Sequence, residues 1–182
     1  MSQEKSYIIF SKYVDNNSAQ RLTSLVLEKL GAGKTSITIL ISSSGGQVSA
    51  GISIYNFLKG LPAEVITHNF GQSDSIAVTI FCAGSKRYCT PDSRFLIHGI
   101  GFDGAQGQRF DERLLGERLE GLKNERITIS KIISENSKKS TKEIEEDMFK
   151  GVVWTAEQAV ANGLVHQIKK ELFERGADVV QV

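Results

Sequence analysis

The sequence has few of the residues and patterns that mark secreted or membrane-spanning proteins. Its 182 residues include two cysteines, two prolines and one tryptophan. Cys82 and Cys89 form neither a CxxC pair nor a disulfide framework, and both lie in or beside apolar segments, so we expect two buried thiols. No stretch approaches the roughly 18 consecutive apolar residues of a membrane span, and the N-terminus lacks a signal-peptide pattern. We therefore expect a cytoplasmic protein with no membrane partner.

The chain also lacks an excess of charge of either sign. Its 22 basic and 21 acidic residues leave a net charge of +1, which gives no electrostatic case for nucleic-acid binding. What is present is an ordinary globular composition, 40% hydrophobic and 24% charged. The length fits one domain covering residues 1–182, and we expect the tail from about residue 174 to be flexible.

Short strand-like runs alternate with helical patterns over the first 100 residues. This order predicts right-handed crossovers between parallel strands, and hence an α/β fold. The predicted strands are residues 6–10, 35–41, 63–69, 86–89 and 94–98, and the predicted helices among them are residues 18–30, 48–61 and 76–84. A polar turn is predicted at 71–75. Further helices are predicted at about 110–136, at 140–149 with Ser140 or Thr141 as N-cap, and before Gly163.

Two glycine-rich motifs resemble nucleotide-binding loops but lack the required context. GAGKTS, residues 31–36, follows a predicted helix and precedes a strand, the reverse of a P-loop, and Glu28 stands where the first glycine should be. GIGFDG, residues 99–104, matches GxGxxG, but no helix is predicted to begin there. We therefore expect no nucleotide cofactor.

Three segments carry groups suited to acyl-transfer chemistry. In residues 41–51 a buried strand ends in a Gly-Gly turn, whose N–H groups could bind an oxyanion or simply form a strand-to-helix turn. Ser75 begins an apolar helix and could be a nucleophile or an ordinary helix cap. Ser73 is a rival nucleophile because it is the serine of a near GxSxG pattern. His98 ends an apolar strand and could be a base or a structural histidine.

Taken together, these segments resemble the proteolytic-subunit family of the Clp protease, serine peptidases of the ClpP/crotonase superfamily. SSSGGQVSAGISIYNFL is similar to the family pattern NSPGG-x-x-x-AG-x-x-IYD, and GQSDSIA to GQAASMG. SKRYCTPDSRFLIHGIGFDGAQGQ is similar to GKRYALPNSR-x-MIHQP-x-GG-x-QGQ, and AEQAVANGLV to AEEA-x-EYGLID. The likeness covers about three-quarters of the chain, with nearly ungapped spacing.

The resemblance implies a ClpP/crotonase-like fold with a long handle helix, and a serine endopeptidase without cofactor or metal. Ser75 would form the acyl-enzyme, His98 would be the general base, and the N–H groups of Gly46 and Ile76 would form the oxyanion hole. Ser73 falls on a position without a catalytic role. The resemblance also implies a homo-oligomeric ring that acts on peptides or unfolded proteins. Few residues precede the first predicted strand, whereas the family's longer N-terminal segment engages an unfoldase ATPase, so an ATPase partner is left open.

The third member of the implied catalytic triad is missing from its expected place. An ungapped alignment puts Gly151 where the family has its catalytic aspartate, and a shift of four residues would bring Asp147 there instead. Two other functions therefore stay open: a catalytically impaired Clp-like ring subunit, and an acyl-CoA enzyme of the crotonase class. GVVWTAEQA also resembles signal peptide peptidase A, which uses a serine–lysine dyad, but no lysine lies at an obvious dyad position.

Overall fold

A computed structural model of the chain describes residues 5–102, 107 and 109–182. The strands are β1 (Lys5–Phe10), β2 (Ser36–Ser43), β3 (Glu64–Asp74), β4 (Lys86–Cys89), β5 (Arg94–Ile97), β6 (Val152–Thr155), β7 (Gln167–Ile168) and β8 (Val179–Gln181). The helices are α1 (Asn16–Gly31), α2 (Val48–Lys59), α3 (Ile76–Phe81), α4 (Glu112–Glu135), α5 (Thr141–Lys150) and α6 (Ala156–Ala161). The predicted glycine-rich stretch 99–108 lies partly outside the described residues.

Within the described ranges, one eight-stranded sheet organises these elements. Its main path runs β6-β5-β3-β2-β1-β8, and β4 leaves this path to pair with β3 and β7. Every pairing is parallel except β5–β6, which is antiparallel. The predicted parallel α/β arrangement is therefore confirmed, with one antiparallel strand that the sequence analysis did not anticipate. Strand β2 is buried along nearly its whole length, as expected for a parallel strand covered on both faces.

Local capping chemistry sets the helix ends. Asp15 caps α1 by accepting from the Ser18 N–H at 2.7 Å, and the Ser18 hydroxyl accepts in return from the Asp15 N–H. Ser140 and Glu143 form the same reciprocal arrangement at α5, so the predicted cap at this helix is confirmed at Ser140. Gly151 ends α5 in the left-handed conformation, at φ 70° and ψ 62°.

Strand β3 runs through the segment predicted as a polar turn at 71–75. Its residues continue as strand to Asp74, because Gln72, Ser73 and Asp74 pair with the first three residues of β5. Ser73 and Asp74 are buried by this pairing, so tertiary contacts override a polar local pattern. The prediction of a turn there was wrong for residues 71–74, and only Ser75 separates the end of β3 from the start of α3.

The C-terminal tail follows the edge of the sheet. Val179–Gln181 form β8 parallel to β1, and the Asp178 carboxylate contacts Lys29 Nζ at 2.9 Å. The predicted flexibility from about residue 174 stays a prediction. Among the described residues, no helix is both long and apolar enough to cross a bilayer.

The hydrophobic core lies between the sheet and its helices and includes both cysteines, which have no exposed surface. Phe81 of α3 contacts Phe95 of β5 edge to face, with ring centroids 5.0 Å apart. All six residues of α3 are buried. Because Ser75 directly precedes this helix, the packing of α3 against the sheet determines the position of Ser75.

Candidate active site

Ser75 occupies a sharp turn between β3 and α3. Its backbone has φ 58° and ψ −129°, and it is the one non-glycine residue with positive φ in the described part of the chain. Such a conformation costs about 1–3 kcal/mol and persists only where surrounding contacts impose it. Here the Ser75 N–H donates to the Leu96 carbonyl at 2.8 Å, and the Ser75 carbonyl accepts from Val78 at 3.0 Å. Ser75 stands at the N-cap position of α3, but its side chain makes no cap hydrogen bond.

The Gly-Gly turn predicted at residues 41–51 lies directly against Ser75. A Cβ on Gly45 would lie 2.6 Å from the Asp74 carbonyl oxygen and 2.7 Å from Ser75 Cβ, which leaves room only for glycine. Gly46 has φ 151°, and a Cβ there would overlap the Val14 carbonyl. That carbonyl accepts from Gln47 at 2.7 Å, and Val14 donates to Gly45 at 2.8 Å. The backbone of the Gly-Gly turn therefore lies close to the backbone of Ser75, because no side chain stands between them.

Two backbone N–H groups at this junction lack backbone acceptors. The first N–H of a helix has no intrahelical partner, which applies to Ile76 at the start of α3. Gly46 donates to no acceptor among the described residues, since its neighbours Gly45 and Gln47 make the contacts with Val14. The two residues assigned to the oxyanion hole by resemblance therefore lie on elements in direct contact through Gly45.

His98 follows the strand that neighbours the serine's strand. Leu96 of β5 pairs with Asp74 of β3, so Ser75 and His98 come just after paired positions. The His98 side chain is exposed. Neither the His98 ring nor the Ser75 hydroxyl has a hydrogen-bond partner among the described residues. The parallel strands β3 and β5 therefore end at the same edge of the sheet, and Ser75 and His98 both lie there without a hydrogen bond between them.

Gly151 borders His98. A Cβ on Gly151 would have His98 Cβ as its nearest neighbour, at 4.0 Å. Asp147 lies one turn earlier on α5, buried, and its carboxylate pairs with Lys139 Nζ. Lys139 Nζ also lies 5.4 Å from the centre of the Trp154 ring. No hydrogen bond joins Asp147 to His98 in the described residues, and a role for Asp147 as the orienting acid stays a prediction.

An ion pair that the sequence did not indicate lies directly before Ser75. The Asp74 carboxylate accepts from Arg94 Nη2 at 2.7 Å, and Asp74 is only 4% exposed. The sequence signal was an acidic residue directly before Ser75, in GQSDS, but a polar turn seemed sufficient to explain it. Only the pairing of β3 with β5 shows that this carboxylate is buried.

A cleft of about 540 Å³ opens beside the Gly-Gly turn. Gly46, Gln47 and Val48 form one wall, and the α4 residues Gly121 and Glu125 contribute to the other. A second groove of about 580 Å³ lies between α4 and α5. The first cleft has the Gly-Gly turn at its edge.

The remaining histidines and cysteines have structural surroundings. Burial lowers the pKa of His68, whose Nε2 lies 3.1 Å from the Lys169 carbonyl oxygen. Burial also lowers the pKa of His166, and it raises the pKa of the Cys82 thiol to about 12. Within the described residues, no group of three or more His, Cys, Asp or Glu side chains is arranged to hold a metal ion.

Comparisons with known proteins agree on one family. The family model described as Clp protease matches residues 1–171. ATP-dependent Clp protease proteolytic subunit 1 of Corynebacterium diphtheriae is 31% identical over 169 residues, which cover 91% of this chain and 79% of that protein. The protein of the same description from Corynebacterium glutamicum is also 31% identical, with the same coverage.

The fold has a close counterpart among solved structures. A mutant of ClpP1 from Listeria monocytogenes superposes with a TM-score of 0.80 over 91% of this chain and 92% of that one, at 23% identity. The predicted single-domain ClpP-like α/β architecture is thereby confirmed. On the family match and the curated relatives together, this chain belongs to the Clp protease family as a homologue of its proteolytic subunit.

Proposed function

We propose that this chain is a serine endopeptidase in which Ser75 forms the acyl-enzyme and His98 is the general base. The observation that carries the proposal is the backbone of Ser75. A non-glycine residue is held at positive φ between a strand and a buried helix, with a Gly-Gly turn in contact with its Cβ. Strain of this kind is concentrated at functional sites, and a helix cap would not require it.

The proposed reaction begins with attack of Ser75 Oγ on a peptide carbonyl carbon. His98 takes the hydroxyl proton as the C–O bond forms, and the carbonyl oxygen becomes the oxyanion. The N–H groups of Gly46 and Ile76 would donate to that oxygen. Fixed backbone donors of this kind are worth about 3–4 kcal/mol of transition-state stabilisation each.

Collapse of the tetrahedral intermediate would break the C–N bond. His98 gives its proton to the leaving amine, and the acyl group stays on Ser75. A water molecule then attacks the ester carbonyl while His98 accepts its proton, and the Ser75–acyl bond breaks as the proton returns to Oγ. The products are a peptide with a new C-terminal carboxylate and a peptide with a new amine.

The proposed chemistry uses a serine–histidine pair without an orienting aspartate. Asp147 is engaged by Lys139, and Gly151 has no side chain to offer to His98. Serine hydrolases that lose the triad acid keep a small part of their rate, because the oxyanion hole and substrate binding still act. We therefore expect slow but Ser75-dependent turnover.

We further propose that copies of the chain assemble into a ring. Family membership supports this, as does the length of α4, whose 24 residues carry the exposed apolar side chains Leu115, Leu119 and Ile127. Light scattering would give the mass of the assembly. A partner ATPase is the corresponding proposal for folded substrates, since the relatives are described as ATP-dependent.

Among the described residues no carboxylate forms a hydrogen bond with His98, which favours one alternative, a ring subunit with little activity of its own. Hydrolysis of an unfolded protein such as casein, or of a fluorogenic peptide, separates the two. The peptidase proposal predicts turnover that is lost in Ser75→Ala and in His98→Ala. Ser73→Ala is the matched control, because Ser73 Oγ is buried without a partner in the described structure. Hydrolysis that survives Ser75→Ala would refute the proposed nucleophile.

A further inference from the structure

The buried carboxylate of Asp74 forms an ion pair with the half-exposed side chain of Arg94, directly before Ser75. Asp74 is the last residue of β3, directly before Ser75, and Arg94 is the first residue of β5. One carboxylate oxygen, Oδ2, accepts from Arg94 Nη2 at 2.7 Å. The other, Oδ1, is buried and has no donor among the described residues. The Arg94 side chain is 54% exposed, so the arginine reaches inward from the surface to this carboxylate.

Arg94 contributes three links between the strand that leads to Ser75 and the strand that leads to His98. Its Nη2 also donates to Gln72 Oε1 at 3.1 Å, and its backbone carbonyl accepts from Asn69 Nδ2 at 2.8 Å. Together with the contact to Asp74, these links hold β5 against β3 at three positions of β3. The ladder itself is short, with only three residue pairs between these strands.

The proposed catalytic pair depends on this attachment. The His98 ring has no hydrogen-bond partner in the described residues, so its position relative to Ser75 follows from where β5 ends. Ser75 itself is held at positive φ, a conformation that needs support from its surroundings. The Arg94–Asp74 contact joins β5 to the residue directly before Ser75. This contact can therefore hold His98 near Ser75 and support the positive φ of Ser75.

We propose that the Asp74–Arg94 pair is a positioning device for the proposed Ser75–His98 reaction, and the inference rests on that proposed function. Arg94 fixes the two strands, and it also neutralises the carboxylate that precedes the nucleophile. Asp74 directly precedes Ser75, so an unpaired Asp74 charge would oppose the negative charge that develops on the substrate's carbonyl oxygen during attack by Ser75. The Asp74–Arg94 pair therefore keeps Ser75 and His98 in position and prevents the Asp74 charge from destabilising the oxyanion.

This double role predicts an asymmetry between the two partners. Loss of the Arg94 charge leaves a buried carboxylate uncompensated beside the reacting carbonyl, which opposes the oxyanion. Loss of the Asp74 charge leaves a mostly solvated guanidinium, which does not oppose the oxyanion. Removal of both charges should therefore restore part of the activity that removal of Arg94 alone destroys.

The test compares Arg94→Gln, Asp74→Asn and the double variant with the wild-type protein. The readouts are kcat and KM for a fluorogenic peptide, and the rate constant for labelling of Ser75 by a fluorophosphonate. This rate constant does not depend on the fraction of folded protein. The matched control is Lys86→Met, which breaks the 2.7 Å ion pair with Glu64 at the opposite end of β3.

We expect Arg94→Gln to lower kcat and the labelling rate constant by about 10- to 100-fold, with KM within about twofold of wild type. The double variant should recover at least about fivefold of this loss, and Lys86→Met should stay within about twofold of wild type. If Arg94→Gln does not fold, Arg94→Lys carries the test. A lysine keeps the charge but lacks the planar guanidinium fork, so it should hold Asp74 and Gln72 less firmly, and a kcat more than twofold below wild type with unchanged KM is expected.

Equal rate constants for Arg94→Gln and Lys86→Met, or a double variant no faster than Arg94→Gln, would overturn the positioning role alone. The positioning role is also overturned if Arg94→Lys, used in place of Arg94→Gln, matches wild type. Absence of Ser75 labelling in the wild-type protein would overturn the proposed function and the positioning role with it. The two failures are therefore distinguishable.

Discussion

Replacement of Gly151 by aspartate should raise the proposed peptidase activity. Gly151 borders His98, and a Cβ at this position would lie 4.0 Å from His98 Cβ, which is the nearest described heavy atom apart from those of its own chain neighbours and helix. The carboxylate oxygens of an aspartate lie two bonds beyond Cβ, as does Nδ1 of a histidine. Rotation about χ1 can therefore bring an aspartate oxygen to about 2.7–3.0 Å from the His98 ring, which is hydrogen-bond distance.

The expected rise in kcat follows from the free energy that a hydrogen bond between the aspartate and His98 contributes. A hydrogen bond to a charged group contributes about 1.5–3 kcal/mol, and each 1.36 kcal/mol is tenfold in rate, so kcat should rise by about 10- to 150-fold. The ceiling is about 10⁴-fold, the loss seen when an established triad loses its acid function. The left-handed backbone at Gly151 costs an L-residue about 1–2 kcal/mol, which should lower Tm by roughly 2–8 °C.

The assay is hydrolysis of a fluorogenic peptide at pH 7–8 by Gly151→Asp, Gly151→Asn and Gly151→Ala. The asparagine and alanine variants carry the backbone cost without the carboxylate, so both should lose stability and gain no activity. A Gly151→Asp kcat no higher than that of Gly151→Asn, in protein shown to be folded, would refute the assignment of Gly151 to the vacant acid position.

Three further outcomes follow from the structure. Asp147→Asn should lower the free energy of unfolding by about 1–2 kcal/mol through loss of its pairing with Lys139, with kcat unchanged; a large fall in kcat would instead assign Asp147 to His98. Burial holds the pKa of His68 below 6.5, so the unfolded chain binds more protons below that pH, and the free energy of unfolding measured in urea should fall from pH 7 to pH 5; His68→Gln should flatten this dependence, and an unchanged slope would contradict it. Cys82, with a pKa of about 12 and no exposed surface, should resist alkylation by iodoacetamide at pH 8 until the protein is unfolded, and rapid labelling of the native protein would contradict this.

The sequence predicted those elements whose local pattern agrees with their tertiary surroundings. Strand β2 is a run of β-branched and apolar residues, and it is buried on both faces. Ser140 and Glu143 predict the start of α5 because capping is a local interaction between neighbours in the sequence. The long charged helical pattern predicted α4 at about residues 110–136, within two residues of its observed ends.

The elements that the sequence did not predict depend on contacts between distant segments. Residues 71–74 have the composition of a polar turn, and only their pairing with β5 makes them strand. Strand β6 has four residues and follows a left-handed glycine, so its length gives little periodicity to detect. Its antiparallel pairing with β5 brings the end of α5 towards His98.

The candidate site was only partly predicted, because it too depends on contacts between distant segments. Ser75, His98 and the Gly-Gly turn were selected by resemblance, and the contact between Gly45 and Ser75 is a matter of backbone approach that no single motif contains. The position of the third triad member shows what spacing in the sequence could not decide. Spacing allowed either Gly151 or Asp147, whereas the structure gives their surroundings, with Gly151 beside His98 and Asp147 paired with Lys139.

The central claim is that Ser75 is an activated nucleophile, and covalent labelling tests it most directly. Wild-type protein treated with a fluorophosphonate should gain the mass of one phosphonyl group per chain, mapped by tandem mass spectrometry to Ser75. Labelling should disappear in Ser75→Ala, fall strongly in His98→Ala, and persist in Ser73→Ala. Folded wild-type protein that gains no label, or label mapped to a residue other than Ser75, would contradict the claim.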